Sequence, residues 1–473
     1  MPSIYIETFG CQMNEADSRY IAERAASAGY SVASVAEEAN VIVLNTCTVR
    51  DNAERRAYGR MNHLNALKRV DPSLRLVVTG CLAEQDRDRM KRLAPHVDAI
   101  FGTRELAELG DQLAAWQPNF DDVDFSDDRA LVTSLGGTGD AVTGPFSHLR
   151  AFVTVQRGCS YYCTFCIVPH VRGRFDHRPK SAILDETRER LAQGAREIVL
   201  VGQTVNAWND PASSDDFGDL ARSVATLGLE RLGFISPHPK DFTEKILDDL
   251  CSLEQLNPRI HLPLQSASDR LLRRMNRKYT LAQFDGIVRS IRQRLPKCAI
   301  TTDLIVGFPG ETASDFQATL DYVRSGVFAN AFSFIYSIRR GTPAARWPQV
   351  PRELALERFA QLLDAQNAVT RAYHDGYAGR TVRVLIVGDS KKDARRLTGK
   401  SLDNVTVVAP KPADYPAEHW EGVHPYAQAP WLDVAIESAH VWGCFGTVVG
   451  RAARFADAGT PVMRPLLDLI ATA

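Results

Sequence analysis

The chain contains 473 residues, too many for one compact core, so we predict about two to four domains. Lysine and arginine together number 56, and aspartate and glutamate 57, which leaves a formal net charge of −1. With this balance of charges, the chain as a whole has no net electrostatic attraction to nucleic acid or membrane. Any such partner must therefore bind a local basic patch. The sequence does not open with a basic segment followed by an apolar one, and its apolar runs are too short to cross a bilayer. We therefore predict a cytoplasmic protein without membrane contact, by default a monomer.

The first 120 residues alternate strand-like and helix-like segments. Strands are predicted at residues 4–9, 41–45 and 74–79, with Ala-rich or polar helical segments between them. This alternation predicts a parallel α/β sheet domain over residues 1–120. Residues 121–147 are acidic and rich in turn-forming residues, which is typical of a linker.

A second α/β run occupies residues 148–375. Six strands alternate there with helical segments, which predicts a partial or full (β/α) barrel with its chemistry at the carboxyl ends of the strands. The six strands are predicted at residues 151–156, 197–202, 232–236, 259–264, 299–307 and 331–336. Residues 376–452 change to short strands separated by turns, which predicts a small β-barrel, and residues 453–473 form a tail.

Nine cysteines lie along the chain, an odd number at wide spacing that argues against a disulfide framework. Cysteines that cluster in a cytosolic protein usually hold metal or do redox work. Cys159, Cys163 and Cys166 form a C-x3-C-x2-C run directly after the first strand of the second α/β run. Three thiolates in one loop can hold three irons of a [4Fe–4S] cluster and leave the fourth iron open to a small molecule. The alternatives are a structural zinc site, with His170 as a fourth ligand, or core cysteines without a ligand.

A second set consists of Cys11, Cys47 and Cys81, each of which follows one of the three N-terminal strands. The ends of parallel strands face the same rim of a sheet, so we expect the three thiols to converge there. This predicts a second [4Fe–4S] cluster with three protein ligands; the alternative is three small buried cysteines. The remaining cysteines are predicted to be packing residues: Cys251, Cys298 and Cys444.

The cysteine run and the βα repeats resemble the radical S-adenosylmethionine superfamily. The resemblance implies that S-adenosylmethionine (SAM) binds the open iron, and that its reductive cleavage yields a 5′-deoxyadenosyl radical. Cys159, Cys163 and Cys166 then serve the catalytic cluster. Residues at or near strand ends are expected to contact the cofactor: Gln203, Gln265, Asp303, Ile305 and Gly307. The alternative for the polar residues is that their side chains only form hydrogen bonds with the loop backbone. The alternative for the segment around Gly307 is an ordinary βα turn capped by Glu311.

The chain as a whole resembles the methylthiotransferase family, whose members combine a three-cysteine domain, a radical barrel and a C-terminal TRAM domain. The resemblance implies that one SAM methylates sulfur held at the second cluster and that another generates the radical. Three segments are similar to the branch that acts on N6-isopentenyladenosine at position 37 of tRNA: residues 10–14 (GCQMN), 45–50 (NTCTVR) and 236–239 (SPHP). The expected partners are then a tRNA anticodon loop and an electron donor of the flavodoxin or ferredoxin type. Alternatives are threonylcarbamoyladenosine-37, a ribosomal protein side chain, or a non-enzymatic RNA-binding protein.

Three basic patches are candidates for contacts with RNA phosphates, and solvated surface charge is the alternative. Their members are Arg172, Arg174, Arg178 and Lys180; Arg270, Arg273, Arg274, Arg277 and Lys278; and Lys391, Lys392, Arg395, Arg396 and Lys400. The chain departs from the family pattern at Phe175 and His177, where relatives carry Glu and Ser, and at Ala267, where Gly is usual. Residues 411–430 are an insertion in the predicted β-barrel.

Overall fold

The computed structural model describes residues 1–10, 12–48, 51–116, 146–390, 392–416 and 424–457. Cys11, Lys391, most of the predicted linker and most of the predicted tail lie outside these residues. The chain divides into two compact units. The first comprises Met1–His148, Arg157–Ser160 and Ile167–Phe175, and the second comprises Leu149–Gln156, Tyr161–Cys166 and Asp176–Ala473. Within the described residues, no helix has both the length and the apolar character needed to cross a membrane.

The first unit contains a five-stranded parallel sheet in the order β2-β1-β3-β4-β5. Its strands are β1 (Ser3–Thr8), β2 (Ser31–Val32), β3 (Val41–Thr46), β4 (Arg75–Gly80) and β5 (Ala99–Phe101). Its helices are α1 (Gln12–Ser27), α2 (Asp51–Val70), α3 (Cys81–Leu93), α4 (Leu106–Ala115) and α5 (Val168–Val171). All six residues of β3 are buried, as expected for a central parallel strand covered on both faces. The three predicted strands are confirmed as β1, β3 and β4, and the short β2 and β5 extend the sheet at its edges.

The second unit begins with six parallel strands in two sheets, in the orders β6-β9-β10 and β11-β12-β13. The six strands are β6 (Arg150–Thr154), β9 (Glu197–Val201), β10 (Arg231–Phe234), β11 (Arg259–His261), β12 (Ala299–Val306) and β13 (Asn330–Ile335). The two-residue strands β7 (Gln156–Arg157) and β8 (Asp176–His177) lie between β6 and β9 in the chain and belong to neither sheet. The helices are α6 (Lys180–Ala192), α7 (Phe217–Ala225), α8 (Glu244–Cys251), α9 (Asp269–Arg274), α10 (Leu281–Arg294), α11 (Ala313–Arg324) and α12 (Arg352–Asp375). All six predicted strands of this run are confirmed, in the predicted order.

Side-chain caps set the starts of several helices in the second unit. Thr243 and Ser268 accept backbone N–H groups at the starts of α8 and α9. Asp216, Thr280 and Thr312 form capping boxes at α7, α10 and α11. These caps satisfy donors that the first helical turn leaves without partners, so each helix begins at a defined residue after its strand.

The remainder of the second unit is a closed five-stranded barrel in the order β14-β15-β16-β18-β17. Its elements are β14 (Thr381–Ser390), β15 (Asp393–Ser401), β16 (Thr406–Pro410), α13 (Pro425–Gln428), β17 (Trp431–His440) and β18 (Gly443–Ala452). Sequence patterns identified β14, β16 and β17. They missed β15, which is rich in charge, and β18, which is rich in glycine, because both compositions are unfavourable for strands.

A buried charged group joins the parallel sheet of the second unit to this barrel. Arg231 on β10 donates to Asn257 Oδ1 at 2.7 Å and lies 3.7 Å from a carboxylate oxygen of Glu197. It also donates to the carbonyl oxygens of Lys400 and Leu402 in the barrel, each at 3.3 Å. Burial opposes the charged form of Glu197, but the surrounding Arg150, Arg231 and Asn257 outweigh burial and hold its pKa below the usual value.

Replacing Arg231 with Met is expected to lower the free energy of unfolding by about 3–5 kcal/mol, because it weakens the pairing of the buried Glu197 carboxylate. Urea denaturation measures the change. Arg222→Met is the matched control, because Arg222 pairs with Asp219 and Asp249 with about half of its own side chain exposed (53%), and a surface pair contributes at most about 1 kcal/mol. Equal urea midpoints for the two variants would contradict the importance of the buried group.

Candidate active site

Two of the three early cysteines follow neighbouring strands of the first unit. Thr46 at the end of β3 pairs with Gly80 at the end of β4, so Cys47 and Cys81 leave the sheet at the same rim. Both are buried, at 1% and 2% exposure. Gly10 lies against Cys47: a β-carbon on Gly10 would lie 2.5 Å from Cys47 Cβ and 2.9 Å from its Sγ. Cys11 lies outside the described residues, so its part in the predicted ligand set stays a prediction.

Asparagine and threonine side chains of the two N-terminal motifs hold these strand ends together. Asn14 Nδ2 donates to the carbonyl oxygens of Phe9 (2.8 Å) and Thr46 (3.0 Å), and Asn45 Nδ2 donates to the Asn14 carbonyl (2.8 Å). Thr46 Oγ1 donates to the Thr79 carbonyl at 2.6 Å. These bonds satisfy backbone groups where the strand ladder stops. The sequence singled out these residues only as part of motifs, and the contacts give them a positioning role.

Arg172 contacts Cys81 within the first unit. Its Nε donates to Cys81 Sγ at 3.2 Å, and its Nη2 donates to Asn14 Oδ1 at 2.9 Å and Asp17 Oδ2 at 2.8 Å. Asp17 also lies 3.1 Å from Arg157. Arg172 is 7% exposed, so its interpretation as a phosphate-binding surface charge is wrong.

The loop with the C-x3-C-x2-C run divides between the two units, with Cys159 in the first and Cys163 and Cys166 in the second. In the second unit, the N–H of Cys166 donates to the Cys163 carbonyl at 2.9 Å, which makes a tight turn. The N–H of Thr164 donates to the carbonyl of Met275 at 3.0 Å, and Asn276 Nδ2 donates to the Tyr162 carbonyl at 2.9 Å. The segment that follows α9 therefore holds this part of the loop.

Arg277, in the same segment, contacts Cys163. Its Nη1 donates to Cys163 Sγ at 3.3 Å, and its Nε donates to the Tyr279 hydroxyl at 3.1 Å. Burial alone would lower the pKa of Arg277, but Tyr279 and Cys163 outweigh it, so the pKa is raised above its usual value and the guanidinium stays charged.

Gln203 Oε1 follows β9 and His238 Nε2 follows β10, and these buried polar atoms have no hydrogen-bond partner among the described residues. His238 Nδ1 accepts the N–H of Lys240 at 3.2 Å, so in the neutral ring Nε2 carries the hydrogen. Burial, with smaller contributions from Arg277 and Lys240, lowers the pKa of His238 to about 2. Such groups usually have partners, so this pair is a candidate for ligand contact. Gln203 was predicted as a site residue; His238 appeared only within a motif.

Gln265 follows β11 in the chain, and its backbone pairs with β12. Its N–H donates to the Asp303 carbonyl at 2.8 Å, and its own carbonyl accepts the N–H of Ile305 at 2.9 Å. Gln265 has a φ of 72° and its residue is 7% exposed. Its predicted contact with a cofactor is not tested by these backbone bonds and stays a prediction.

The turn at Gly307 has a packing role. A β-carbon on Gly307 would lie 2.7 Å from Ala355 Cβ on α12. The N–H of Gly307 donates to Glu311 Oε2 at 2.9 Å, and Arg358 Nη1 donates to the same oxygen at 2.7 Å. This geometry matches the alternative of a βα turn closed by Glu311, and a cofactor contact at Gly307 stays a prediction.

Asp303 and Ile305 share a sheet face with two exposed aromatic residues of β13. In the parallel register Asp303 pairs with Phe332 and Ile305 pairs with Phe334. Phe332 is 46% exposed and Phe334 is 38% exposed, whereas the alternate residues of β12, such as Leu304, are buried in the core. This face therefore carries a carboxylate beside an open aromatic surface.

Much of the predicted basic surface is used within the fold. Arg270 pairs with Asp315, and Arg274 Nε donates to the Pro309 carbonyl at 2.8 Å. Arg178 pairs with Glu186 at 2.5 Å. Arg395 in the barrel pairs with Asp393 at 3.0 Å, but its side chain is 90% exposed. The first two patches therefore offer less charge to RNA than the sequence suggests.

The three cysteines predicted as packing residues have environments that disfavour thiolates. Burial raises the pKa of Cys251 to about 11 and the pKa values of Cys298 and Cys444 to about 12. A thiol with such a pKa stays protonated at neutral pH and is a poor metal ligand. His170, the alternative zinc ligand, is exposed on α5.

Comparison with known proteins adds two family matches. Residues 3–102 match the uncharacterized protein family UPF0004, and residues 153–323 match the Radical SAM superfamily. The fold is similar to that of the radical S-adenosylmethionine methyltransferase TsrM from Kitasatospora setae, solved with cobalamin and a [4Fe-4S] cluster bound. That similarity has a TM-score of 0.51 at 14% identity and covers 73% of this chain and 74% of the other.

Several curated relatives carry the name tRNA-2-methylthio-N(6)-dimethylallyladenosine synthase. The relative from Desulforamulus reducens is 39% identical over 85% of this chain and 88% of its own length. The relative from Syntrophotalea carbinolica is 39% identical over 85% of this chain and 92% of its own length. The chain belongs to the tRNA-2-methylthio-N(6)-dimethylallyladenosine synthase family of radical SAM enzymes.

Proposed function

We propose that this chain inserts a methylthio group at C2 of N6-isopentenyladenosine-37 in tRNA and uses two SAM molecules in the reaction. Membership of the family supports the reaction class. The observation that carries the proposal is the placement of Cys47 and Cys81 at one rim of the N-terminal sheet, far in sequence from the C-x3-C-x2-C run. A radical enzyme that only abstracts hydrogen needs one cysteine set, whereas sulfur insertion gives a second set a purpose.

In this proposal Cys159, Cys163 and Cys166 hold one [4Fe–4S] cluster, and Cys11, Cys47 and Cys81 hold the other. When bound, these clusters supply the electron for reductive cleavage of SAM and a site for the sulfur to be transferred. The chain contributes thiolates from one tight loop in the first case and from strand ends in the second. Burial of Cys47 and Cys81 keeps water from these two thiols, which would protect a reactive centre.

Substituting Ala for Cys159, Cys163 and Cys166 together is expected to lower the iron content from about eight to about four atoms per chain. The same loss is expected when Cys11, Cys47 and Cys81 are replaced together, because each set holds its own cluster. Iron analysis of anaerobically reconstituted protein measures both. The control is Cys298→Ala, which removes a protonated packing thiol and leaves the iron content unchanged; full iron in either triple variant would defeat the assignment.

His238 and Gln203 are suited to hold SAM at the strand ends. A neutral His238 presents an Nε2–H donor, and Gln203 Oε1 presents an acceptor, both without partners in the described residues. The cofactor offers complementary carboxylate and amino groups. Because the pKa of His238 is lowered to about 2, the ring stays neutral throughout the physiological range and adds no charge to the site.

Replacing His238 with Phe keeps a ring and removes the donor, so the Kd for SAM should rise about fivefold to tenfold, the equivalent of about 1–1.5 kcal/mol. Equilibrium dialysis with radiolabelled SAM and cluster-loaded protein gives the value. His440→Phe, a change at an exposed histidine of the barrel, should leave the Kd unchanged. Since His238 is neutral above about pH 2, the wild-type Kd should show no step attributable to this residue between pH 6 and 8. An unaltered Kd in His238→Phe would remove His238 from the site.

The target base and its apolar isopentenyl group would lie against Phe332 and Phe334. Both phenylalanines are open to solvent on the face that carries Asp303 and Ile305, so a base stacked there would lie beside the predicted SAM contacts. Flipped bases are commonly held by stacking on aromatic side chains. The closed C-terminal barrel would act as a TRAM-like module that holds RNA phosphates through exposed residues such as Arg395.

The proposed activity is tested with wild-type, cluster-loaded protein, SAM, a reductant and an anticodon stem-loop RNA that carries isopentenyladenosine-37. Mass spectrometry of the nucleosides should detect the 2-methylthio product, and product from threonylcarbamoyladenosine RNA alone would contradict the proposal.

The double change of Phe332 and Phe334 to Ala should cut the preference for prenylated over unprenylated RNA at least tenfold, because an apolar pocket discriminates by about 1–3 kcal/mol. The double change of Leu354 and Leu356 to Ala is the control, because both are exposed apolar residues on α12.

A further inference from the structure

In each cysteine set, an arginine donates a hydrogen bond to the sulfur of a described cysteine. In the first unit Arg172 Nε lies 3.2 Å from Cys81 Sγ. In the second unit Arg277 Nη1 lies 3.3 Å from Cys163 Sγ. Both arginines belong to basic patches of the sequence, so their contacts with sulfur are apparent only in the structure. The two units thus repeat one arrangement, a guanidinium next to a predicted iron ligand.

The orientation of Arg172 is held by groups other than the cysteine. Its Nη2 donates to Asn14 and Asp17, which leaves Nε directed at Cys81. The side chains of Arg172 and Asp17 are 4% and 2% exposed, so little solvent screens either charge. The Asp17 carboxylate offsets part of the positive charge of Arg172, and it also faces Arg157.

The surroundings of Arg277 contain hydroxyl and carbonyl oxygens. Besides the bond to Cys163, Nε donates to the Tyr279 hydroxyl at 3.1 Å and Nη2 to the Pro263 carbonyl at 3.3 Å. Among the residues that the structure describes, no carboxylate forms an ion pair with Arg277. The Tyr279 hydroxyl also donates to the Leu264 carbonyl at 2.9 Å, which holds it in place. Arg277 therefore acts on Cys163 with a positive charge that is offset less than that of Arg172.

We infer that Arg172 and Arg277 are positioning residues that raise the reduction potentials of the groups held by the Cys81 and Cys163 sets, respectively. Reduction adds one electron and makes an iron–sulfur cluster more negative. A hydrogen bond or a positive charge at a ligand sulfur stabilises the reduced form and raises the potential. The inference rests on the proposed function, because it takes both cysteine sets to be cluster ligands. It goes further by giving each set a separate electrostatic control.

The test uses full-length protein, anaerobically reconstituted, with potentials measured by titration with redox dyes and electron paramagnetic resonance. The signal of each cluster is assigned in proteins that lack the other cysteine set. Arg172→Met should lower the reduced-to-oxidised ratio of the Cys81 set about tenfold at a fixed potential, or about 59 mV for one electron, and leave the Cys163 set unchanged. Arg277→Met should do the converse, with a larger shift because, among the described residues, Arg277 has no carboxylate ion pair like that of Arg172 with Asp17.

Matched controls and conservative variants separate this role from a structural one. Arg174→Met and Arg273→Met remove exposed arginines near the same two segments and should shift neither potential. Arg172→Lys and Arg277→Lys keep the charge and should restore at least half of the shift. If a Met variant loses iron, the Lys and Gln variants that retain iron are compared, and Gln should have the lower potential. Ratios that stay within twofold of wild type in all iron-loaded variants would overturn the inference.

The outcomes also distinguish this inference from the proposed function. Wild-type protein with only four irons, all lost with the Cys159 set, would refute the second cluster and the Arg172 half of the inference together. Shifted potentials with no methylthio product on prenylated RNA would refute the proposed substrate and leave the role of the arginines intact. Product formation with unshifted potentials would refute the role of the arginines and leave the proposed substrate intact.

Discussion

The site depends on one geometric constraint: parallel strands that lie side by side end at the same rim. In the first unit, the pairing of Thr46 with Gly80 brings Cys47 and Cys81 to that rim, although the two cysteines are 34 positions apart in the sequence. Close contact between Gly10 and Cys47 requires that residue 10 have no β-carbon. The sheet therefore brings together cysteines that are far apart in the sequence, whereas a short loop brings Cys163 and Cys166 together.

The second general feature is that charge is placed inside the fold and compensated there. Arg172 meets Asp17, Arg231 meets Glu197, and Arg358 meets Glu311, each with the carboxylate side chain at most 2% exposed. Removing a partner from such a pair is costly, so these residues specify one packing arrangement rather than a solvated surface. The near-zero net charge of the chain conceals this internal pairing, because composition does not distinguish a buried arginine from an exposed one.

The regular elements that position the site followed from the sequence. β3 and β9 contain apolar runs followed by polar or glycine residues, and such runs identify buried strands. The short β2 and β5 contain too few residues to show a strand pattern, and the charged composition of β15 is unfavourable for a strand. The three-cysteine loop was visible as a local motif. The contacts of Arg172, Arg277 and His238 were not, because hydrogen bonds between distant segments leave no periodic signal.

The connection between the barrel and the rest of the second unit has a consequence for how the protein can be divided. Glu230 accepts from the Trp431 indole at 2.7 Å and from the N–H of Phe455 at 2.6 Å, while Tyr373 and Tyr377 of the preceding segment both donate to Asp403. A shortened chain that stops before β14 would remove the partners that Glu230, Tyr373, Tyr377 and Arg231 have in the C-terminal segment. The C-terminal barrel is thus a structural component of its neighbour, and gene fusions or domain exchanges would have to cut elsewhere to yield a soluble fragment.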